Sequence, residues 1–220
     1  MLRLYQSNRL EVLSHRLAGL LAEPVVSPLS PEILVVQHPG MARWLSLEIA
    51  RENGISANIR FPLPAAFIWE LLRMFLPDVP ASNRFDPSRL SWRIFQTFDQ
   101  LRQDPLFEPL QSYLRSGDEL WRFQLAERLA GLYDRYLVYR PDWILQWEAG
   151  QHATPGDSWQ AALWRELVAQ ANAHWVKLQQ RLFAYAGEPP AGLPSRLFLL
   201  GVPTLSPGYL HIIQWLSQWI

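Results

Sequence analysis

The feature that most constrains the fold is a continuous apolar run, Ile33-Leu34-Val35-Val36, which follows a proline-punctuated loop. A strand with one face in water alternates apolar and polar residues, whereas this run is apolar at every position. Other elements must therefore cover both of its faces. In an α/β protein, that cover comes from helices packed on each face of a parallel sheet. The run predicts a buried strand of such a sheet.

Three further segments have the composition of strands, and helical patterns separate each from the next. They are Leu2–Tyr5, Asn58–Phe61 and Arg196–Val202. Strands that alternate with helices in chain order pair in parallel, because the helix carries the chain back across the sheet. The predicted fold class is therefore α/β, with an open parallel sheet built from these segments and Ile33–Val36.

Helical periodicity accounts for most of the remaining chain. The predicted helices are Arg9–Leu21, Met41–Asn53, Ala65–Phe75, Arg89–Arg102, Leu106–Leu114, Leu120–Tyr139, Ser158–Ala171, His174–Ala186 and Ser206–Trp219. We divide the chain into the first part of an α/β core at 1–75, a large all-helical insertion at 76–187 and a return to the core at 188–220. Because the last apolar helix has no closing signal, we expect the chain to be the front of a longer protein.

The residue inventory argues against a catalytic site in this chain. Without cysteine there is no disulfide, thiol nucleophile or zinc–thiolate site. The only lysine, Lys177, lies far from any glycine-rich turn, whereas the phosphate-binding Walker loop of an ATPase needs both. No histidine pair has metal-ligand spacing, no nucleophile elbow is present, and the strand ends lack the convergent acids of a nuclease. We expect no catalytic residue, metal or cofactor.

Charge and hydropathy restrict the cellular setting. The chain has 20 basic and 20 acidic residues, so any contact with nucleic acid must be local rather than a property of the whole surface. The amino terminus lacks the long apolar core of a signal peptide, and no apolar run is long enough to span a membrane. These patterns predict a cytoplasmic protein without membrane association.

Polar and aromatic side chains follow the predicted strands. They are Ser7, Asn8 and Arg9 after the first strand, Gln37, His38 and Arg43 after the second, and Leu63 and Trp69 after the third. Ligands of open parallel sheets bind at the carboxyl ends of the strands. Amides and arginines suit base edges and phosphates, while an indole or a leucine suits base faces. One interpretation is a DNA-binding surface, and the other is an ordinary polar sheet edge with a packed tryptophan.

The predicted helix Leu120–Tyr139 offers a second candidate surface. Apolar residues, Leu132 among them, recur on it at spacings of three and four and form a wide face that we expect to be buried. Charged residues, including Asp134, lie on the opposite face. That outer face is either simply solvated or available to a partner.

Beyond these patterns, the chain resembles the amino-terminal part of a known family, the gamma (RecC) subunits of bacterial exodeoxyribonuclease V. The similarity rests on stretches that occur in the same order in both. They are Leu2–Tyr5 with Ser7–Leu10, Gly40–Leu45, Ala57–Trp69, Tyr136–Trp143 and Gly192–Arg196. The resemblance extends over the whole chain, and members of that family are much longer.

The resemblance implies a fold like the first motor domain of a superfamily-one helicase that has lost its nucleotide site. It also implies a heterotrimer with RecB-like and RecD-like subunits, an ATP-dependent helicase–nuclease that processes double-strand breaks for recombinational repair. In this family the gamma subunit is not itself catalytic, and it scans single-stranded DNA for the Chi sequence. The alternative is a scaffold that holds the partner helicases without reading sequence.

The resemblance further implies which residues contact DNA. The matching positions are Gln37, Leu63, Trp69, Leu132, Asp134 and Arg140, and Arg43 is added from the same sheet edge. Three positions depart from the family pattern, since Pro39 replaces a threonine, Arg43 a glutamine and Gly131 an aspartate. These departures leave open which octamer the protein recognises. Lys177 stands close to a position where the family has an arginine, and a core role competes with DNA binding for Leu132.

Overall fold

The chain folds into two compact units. The computed structural model describes residues 2–23, 29–115, 118–171, 173–202 and 205–220. One unit consists of Met1–Asp78 with Leu182–Ile220, and the other of Val79–Arg181. The first contains a β-sheet and is called the α/β unit; the described part of the second is helical and is called the helical unit.

A small parallel sheet forms the centre of the α/β unit. Its strands are β1 (Glu32–Val36), β2 (Ile59–Arg60) and β3 (Leu197–Leu200), in the order β2-β1-β3. Both pairings are parallel, and the β1–β3 register pairs Ile33 with Leu197 and Val36 with Leu200. The predicted open parallel sheet is confirmed, with the run Ile33–Val36 in its central strand.

Helices make up most of the rest of the described chain. They are α1 (Leu10–Leu21), α2 (Pro39–Asn53), α3 (Pro64–Phe75), α4 (Pro87–Thr97), α5 (Glu108–Arg115), α6 (Glu119–Tyr139), α7 (Pro141–Glu148), α8 (Ser158–Ala169), α9 (Trp175–Phe183) and α10 (Pro207–Leu216). The predicted helix at 89–102 was too long, because α4 ends at Thr97 and a short 3-10 helix follows. A second short 3-10 helix, Pro105–Phe107, begins after Asp104, whose side chain caps it by accepting the Leu106 N–H at 2.9 Å.

Side chains of β1 alternate between two layers of helices. Leu34 and Val36 lie in the cluster formed with α1 and α2, together with Leu45. Val35 points to the other face, where residues of α3 and α10 surround it. Leu34 and Val36 are fully buried and Val35 is 1% exposed, so the uninterrupted apolar run is explained by burial on both faces.

The predicted strand Leu2–Tyr5 was wrong. These residues form no strand, and Leu2 and Leu4 are 62% and 80% exposed. A strand needs a neighbour to satisfy its backbone groups, and among the described residues this segment has none. Tyr5 instead lies beneath the guanidinium of Arg16 on α1, 5.5 Å from the ring centroid. The turn that contains Ser7–Arg9 is therefore not part of the sheet edge.

An ion pair links the amino-terminal ends of β1 and β3. Arg196 directly precedes β3, and its Nη2 lies 2.6 Å from Oε1 of Glu32, the first residue of β1. Both side chains are about one-fifth exposed, at 19% and 21%, and the two residues are 164 positions apart in the chain. The pair adds a charged contact to the register that the backbone ladder sets.

The helical unit is built around α6 and has an aromatic core. The largest fully buried side chains there belong to Phe85, Tyr133, Trp147 and Trp164. Tyr133 also donates its hydroxyl proton to the Gln160 carbonyl at 2.8 Å, so the one polar atom of that ring is satisfied. The tryptophans at 147 and 164 are therefore core residues.

A buried aspartate closes the loop between α7 and α8. Asp157 accepts hydrogen bonds from Trp147 Nε1 at 2.8 Å and from the backbone N–H groups of Ala153 and Thr154 at 2.7 and 2.8 Å. Burial raises the pKa of Asp157, but these hydrogen bonds outweigh it and hold the pKa below its ordinary value. The carboxylate thus accepts hydrogen bonds that these three N–H groups would otherwise make to water.

A second carboxylate, Glu148 at the end of α7, lies within 3.0 Å of three polar side chains. Lys177 Nζ lies 2.6 Å from one oxygen, while Trp164 Nε1 and His174 Nε2 lie 3.0 and 2.7 Å from the other. Burial raises the pKa of Glu148, yet His174, Lys177 and Trp164 together lower it to about 2. Lys177 is thus part of a structural ion pair within the helical unit.

No helix in the described ranges has both the length and the hydropathy of a membrane span.

Glu148→Gln is expected to destabilise the helical unit at neutral pH. The folded-state pKa of about 2 lies below the ordinary 4.5, so the stabilisation is complete above pH 4.5 and is lost as pH falls towards 2. At about 1.4 kcal/mol per pKa unit, the upper bound is about 3 kcal/mol. Hydrogen exchange of α7 and α8 by mass spectrometry, at matched pH values, measures the difference.

Glu166→Gln is the matched control, because Glu166 is exposed on α8. The assignment is wrong if both variants exchange like the unmodified protein at pH 7, or if the Glu148→Gln difference persists unchanged at pH 2.

Candidate nucleic-acid interface

Two of the candidate residues lie at the carboxyl edge of the sheet. Gln37 directly follows β1, and Leu63 comes three residues after the end of the neighbouring strand β2. The Val36 N–H donates to the Pro62 carbonyl at 3.1 Å, which extends the pairing of the two strands to this edge. Gln37 is exposed and Leu63 is 41% exposed. The structure therefore places both side chains at one edge of the α/β unit, in contact with solvent.

His38 organises the same edge by capping α2. Its Nδ1 accepts the Met41 N–H at 3.1 Å, which satisfies one of the free donors of the first helical turn. Pro39 occupies the first helical position, where its fixed φ and missing N–H suit the helix. The proline at this departure from the family pattern thus has a structural role here.

The end of β3 approaches this turn closely. Gly201 has a φ of +67°, and a Cβ at this position would lie 2.9 Å from Cε of Met41. Both the backbone conformation and the close approach favour glycine. The carboxyl ends of β1 and β3 therefore meet the amino-terminal turn of α2 without an intervening side chain at position 201.

Arg43 supplies a positive charge in the amino-terminal half of α2. It is exposed, lies about 6 Å along the helix from Pro39, and no residue in the described ranges pairs with its guanidinium. A guanidinium without a protein partner retains its full capacity to donate to a phosphate or a base.

Trp69 lies on α3 and is half-buried. The neighbouring Phe67 and Ile68 are buried on the sheet side of α3, and Glu70 forms an ion pair with Arg60 at 2.8 Å. Part of the indole therefore contributes to packing, and the remainder is accessible to a ligand. Packing and stacking on a base are compatible at this position.

Leu132 and Asp134 lie on α6 in the helical unit. Leu132 is half-buried and packs against the aromatic core, so it contributes to the packing of the helical unit. Asp134 is also half-buried; burial and the nearby Asp86 raise its pKa, while Arg135 opposes the shift. No described residue donates a hydrogen bond to this carboxylate. Asp134 is therefore a partly desolvated acid to which no residue of the described ranges donates a hydrogen bond.

Arg140 lies at the junction of α6 and α7. Its Nε and Nη2 donate to the two carboxylate oxygens of Asp142 at 3.0 and 2.7 Å. Its Cζ lies 3.9 Å from the centroid of the Trp143 ring. Sequence reasoning missed both contacts because it missed α7. A proline followed by an acidic residue is the usual start of a helix and could have revealed it.

Gly131 on α6 is not required by packing. A Cβ at this position would meet nothing within 4 Å. The aspartate that the resemblance places here would therefore fit the backbone. Within the described chain, no group of three or more acidic or histidine residues could hold a metal ion.

Comparison with known proteins identifies relatives for the whole chain. The family model described as "RecC, N-terminal domain" matches residues 2–220. RecBCD enzyme subunit RecC of Escherichia coli (strain K12) is 40% identical over 235 residues, which is 100% of this chain and 21% of that protein. The same subunit of Haemophilus influenzae is 35% identical over 97% of this chain, and that of Mycobacterium tuberculosis is 32% identical over 91%. The chain spans about a fifth of the length of these relatives.

His38→Ala is expected to loosen the first turn of α2, because the Met41 N–H loses its acceptor. Loss of such a cap costs about 1 kcal/mol, whereas His38→Asn supplies another side-chain acceptor and should retain most of the stability. Hydrogen exchange at the start of α2 measures the effect. Equal exchange in the alanine and asparagine variants would exclude a capping role.

Proposed function

Because this chain belongs to the RecC N-terminal domain family, we propose that it is a non-catalytic, DNA-binding part of the gamma subunit of a helicase–nuclease. The complex would contain RecB-like and RecD-like subunits and process double-strand breaks for recombinational repair in the cytoplasm. Within it, this chain would scan single-stranded DNA for a Chi-like sequence. Its α/β unit would correspond to a superfamily-one motor domain without a nucleotide site.

The observation that carries this proposal is the arrangement of the sheet edge. Gln37 and Leu63 follow neighbouring parallel strands, and Arg43 projects from the helix that starts there. The carboxyl edge of a parallel sheet is where ligands of this architecture bind. An amide, a guanidinium and an exposed aliphatic side chain can contact base edges, phosphates and base faces, respectively.

Two observations favour the proposal that this chain has no nucleotide site. Lys177, the only lysine, pairs with Glu148 in the helical unit at 2.6 Å. A phosphate loop requires a lysine beside a glycine-rich strand-to-helix turn. The turn after β1 instead contains His38, Pro39 and Gly40, and the histidine caps the helix.

A scaffold function is the second candidate. Two observations favour it: Leu132 packs into the core of the helical unit, and the charge of Arg140 is balanced by Asp142. In this case the residues matched to the family would stabilise the chain, and the partner helicases would hold the DNA.

Arg43→Ala is expected to weaken binding of single-stranded DNA and to reduce the salt dependence of that binding. Each phosphate contact on a single strand contributes about 0.7 to the slope of log affinity against log salt. Fluorescence anisotropy of the full-length protein in its complex measures the slope, with the other subunits constant across variants. Arg51→Ala is the matched control, since Arg51 is exposed at the far end of α2, about 12 Å along the axis. Equal slopes in the two variants would favour the scaffold.

Trp69→Ala is expected to cost roughly 1–3 kcal/mol of single-strand binding, the range for stacking of one base on an aromatic ring. Trp69→Phe should retain part of this energy because phenylalanine also stacks. The same anisotropy titration measures both, and a melting curve monitors the loss of packing. If both variants bind as tightly as the unmodified protein, the indole does not contact DNA.

A further inference from the structure

The backbone of Arg140 is held from two sides. Its N–H donates to the Tyr136 carbonyl at 2.9 Å and closes the last turn of α6. Its carbonyl accepts the Trp143 N–H at 3.0 Å and opens the first turn of α7. The ring of the adjacent Pro141 fixes the φ of Pro141 itself. The Cα–Cβ direction of Arg140 is therefore set by two helices at once.

The side chain is held as well. Asp142 takes the Nε edge of the guanidinium through the two hydrogen bonds at 3.0 and 2.7 Å. Trp143 covers one face of the guanidinium plane at 3.9 Å. A guanidinium has five N–H donors, so three remain; two of them lie on the Nη1/Nη2 edge, and the third, on Nη1, faces the Cδ side. The Arg140 side chain is 44% exposed, so it remains partly accessible to a ligand.

Asp142 is a stable counter-charge. It lies in the first turn of α7, where the helix dipole favours a carboxylate. The hydrogen bond from Arg140 and the backbone N–H groups lower its pKa, although partial burial acts in the opposite direction. It is therefore ionised at neutral pH, and the Arg140–Asp142 pair has no net charge.

We propose that Asp142 and Trp143 direct Arg140 to the edge of a guanine and away from phosphates. A phosphate is attracted by net charge, and beside Arg140 it also meets the carboxylate of Asp142. A neutral base edge needs donors rather than net charge, and guanine offers O6 and N7 at the spacing of two guanidinium N–H groups. The inference rests on the proposed function, since it assumes that Arg140 contacts single-stranded DNA.

Asp142 is therefore a positioning residue that acts through Arg140. With the carboxylate in place, the guanidinium stays on the Trp143 ring with its free edge outward. Without the negative charge, the same guanidinium is a full cation on a flexible stem and attracts any phosphate within reach. Discrimination between bases would then fall while total affinity rises.

The test compares single strands that contain guanine with strands that contain 7-deazaguanine, which lacks the N7 acceptor. Anisotropy titrations of the full-length protein in its complex, over a range of salt, yield a base preference and a salt slope for each variant. The unmodified protein should bind the guanine strand several-fold more tightly. Arg140→Ala should abolish this preference. Because it also leaves Asp142 as an unpaired negative charge, the salt slope is compared in the double variant Arg140→Ala, Asp142→Asn, which keeps the site uncharged and should leave the slope unchanged.

Asp142→Asn is the decisive variant. It should reduce the guanine preference and steepen the salt slope by about 0.7, the share of one new phosphate contact. Asp142→Glu keeps the charge and should restore most of the preference. Glu119→Gln removes a first-turn carboxylate from α6 in the same unit and should change neither quantity.

Three results would overturn the inference in distinguishable ways. If Asp142→Asn behaves like Glu119→Gln while Arg140→Ala loses the preference, Arg140 reads guanine without help from Asp142. If the double variant Arg140→Ala, Asp142→Asn has a lower salt slope than the unmodified protein, Arg140 binds a phosphate. If the unmodified complex shows no binding that depends on Arg140, Arg43 or Trp69, the proposed function itself fails, and this inference fails with it.

Discussion

The burial of β1 on both faces is the constraint on which the α/β unit depends. One face of the strand needs α1 and α2, and the other needs α3 and α10. These helices come from both ends of the chain, so the strand can be covered only when β3 and α10 return after the helical insertion. The sheet edge with Gln37 and Leu63 is a consequence, because the parallel register of β1 and β2 brings their carboxyl ends to one side.

In the helical unit, polar atoms are buried among aromatic rings. Trp147 and Trp164 each have one N–H donor, and each is satisfied by a carboxylate, Asp157 and Glu148 respectively. An indole buried without such a partner would forfeit the hydrogen bonds it makes with water. The acids at 148 and 157 are therefore part of the core, although their residue type suggests a surface position.

Sequence patterns predicted the elements whose signal is contained in a short stretch of sequence. Ile33–Val36 has the composition of a strand buried on both faces, and the glycine after Asn53 marks the end of α2 with a φ of +77°. The prediction of a strand at Leu2–Tyr5 was wrong, because a strand also requires a neighbouring strand, and the composition of a short segment does not show whether one is present. The edge positions of Gln37 and Leu63 followed from the strand ends. The contacts of Arg140 could not be predicted in this way, because they depend on the side-chain conformation of Arg140 and on α7, a short helix that the patterns did not reveal.

The pairing of β1 with β3 has a consequence for the order of folding. The two residues of the ion pair between these strands, Glu32 and Arg196, are 164 positions apart, whereas the contacts of the helical unit lie within Val79–Arg181. On the ribosome, β1 and β2 emerge early, but the other edge of β1 stays without its partner until β3 has been made. The residues of the helical unit are made before β3, so one edge of an apolar strand remains unpaired while they are synthesised. This interval is when the chain most needs protection from aggregation.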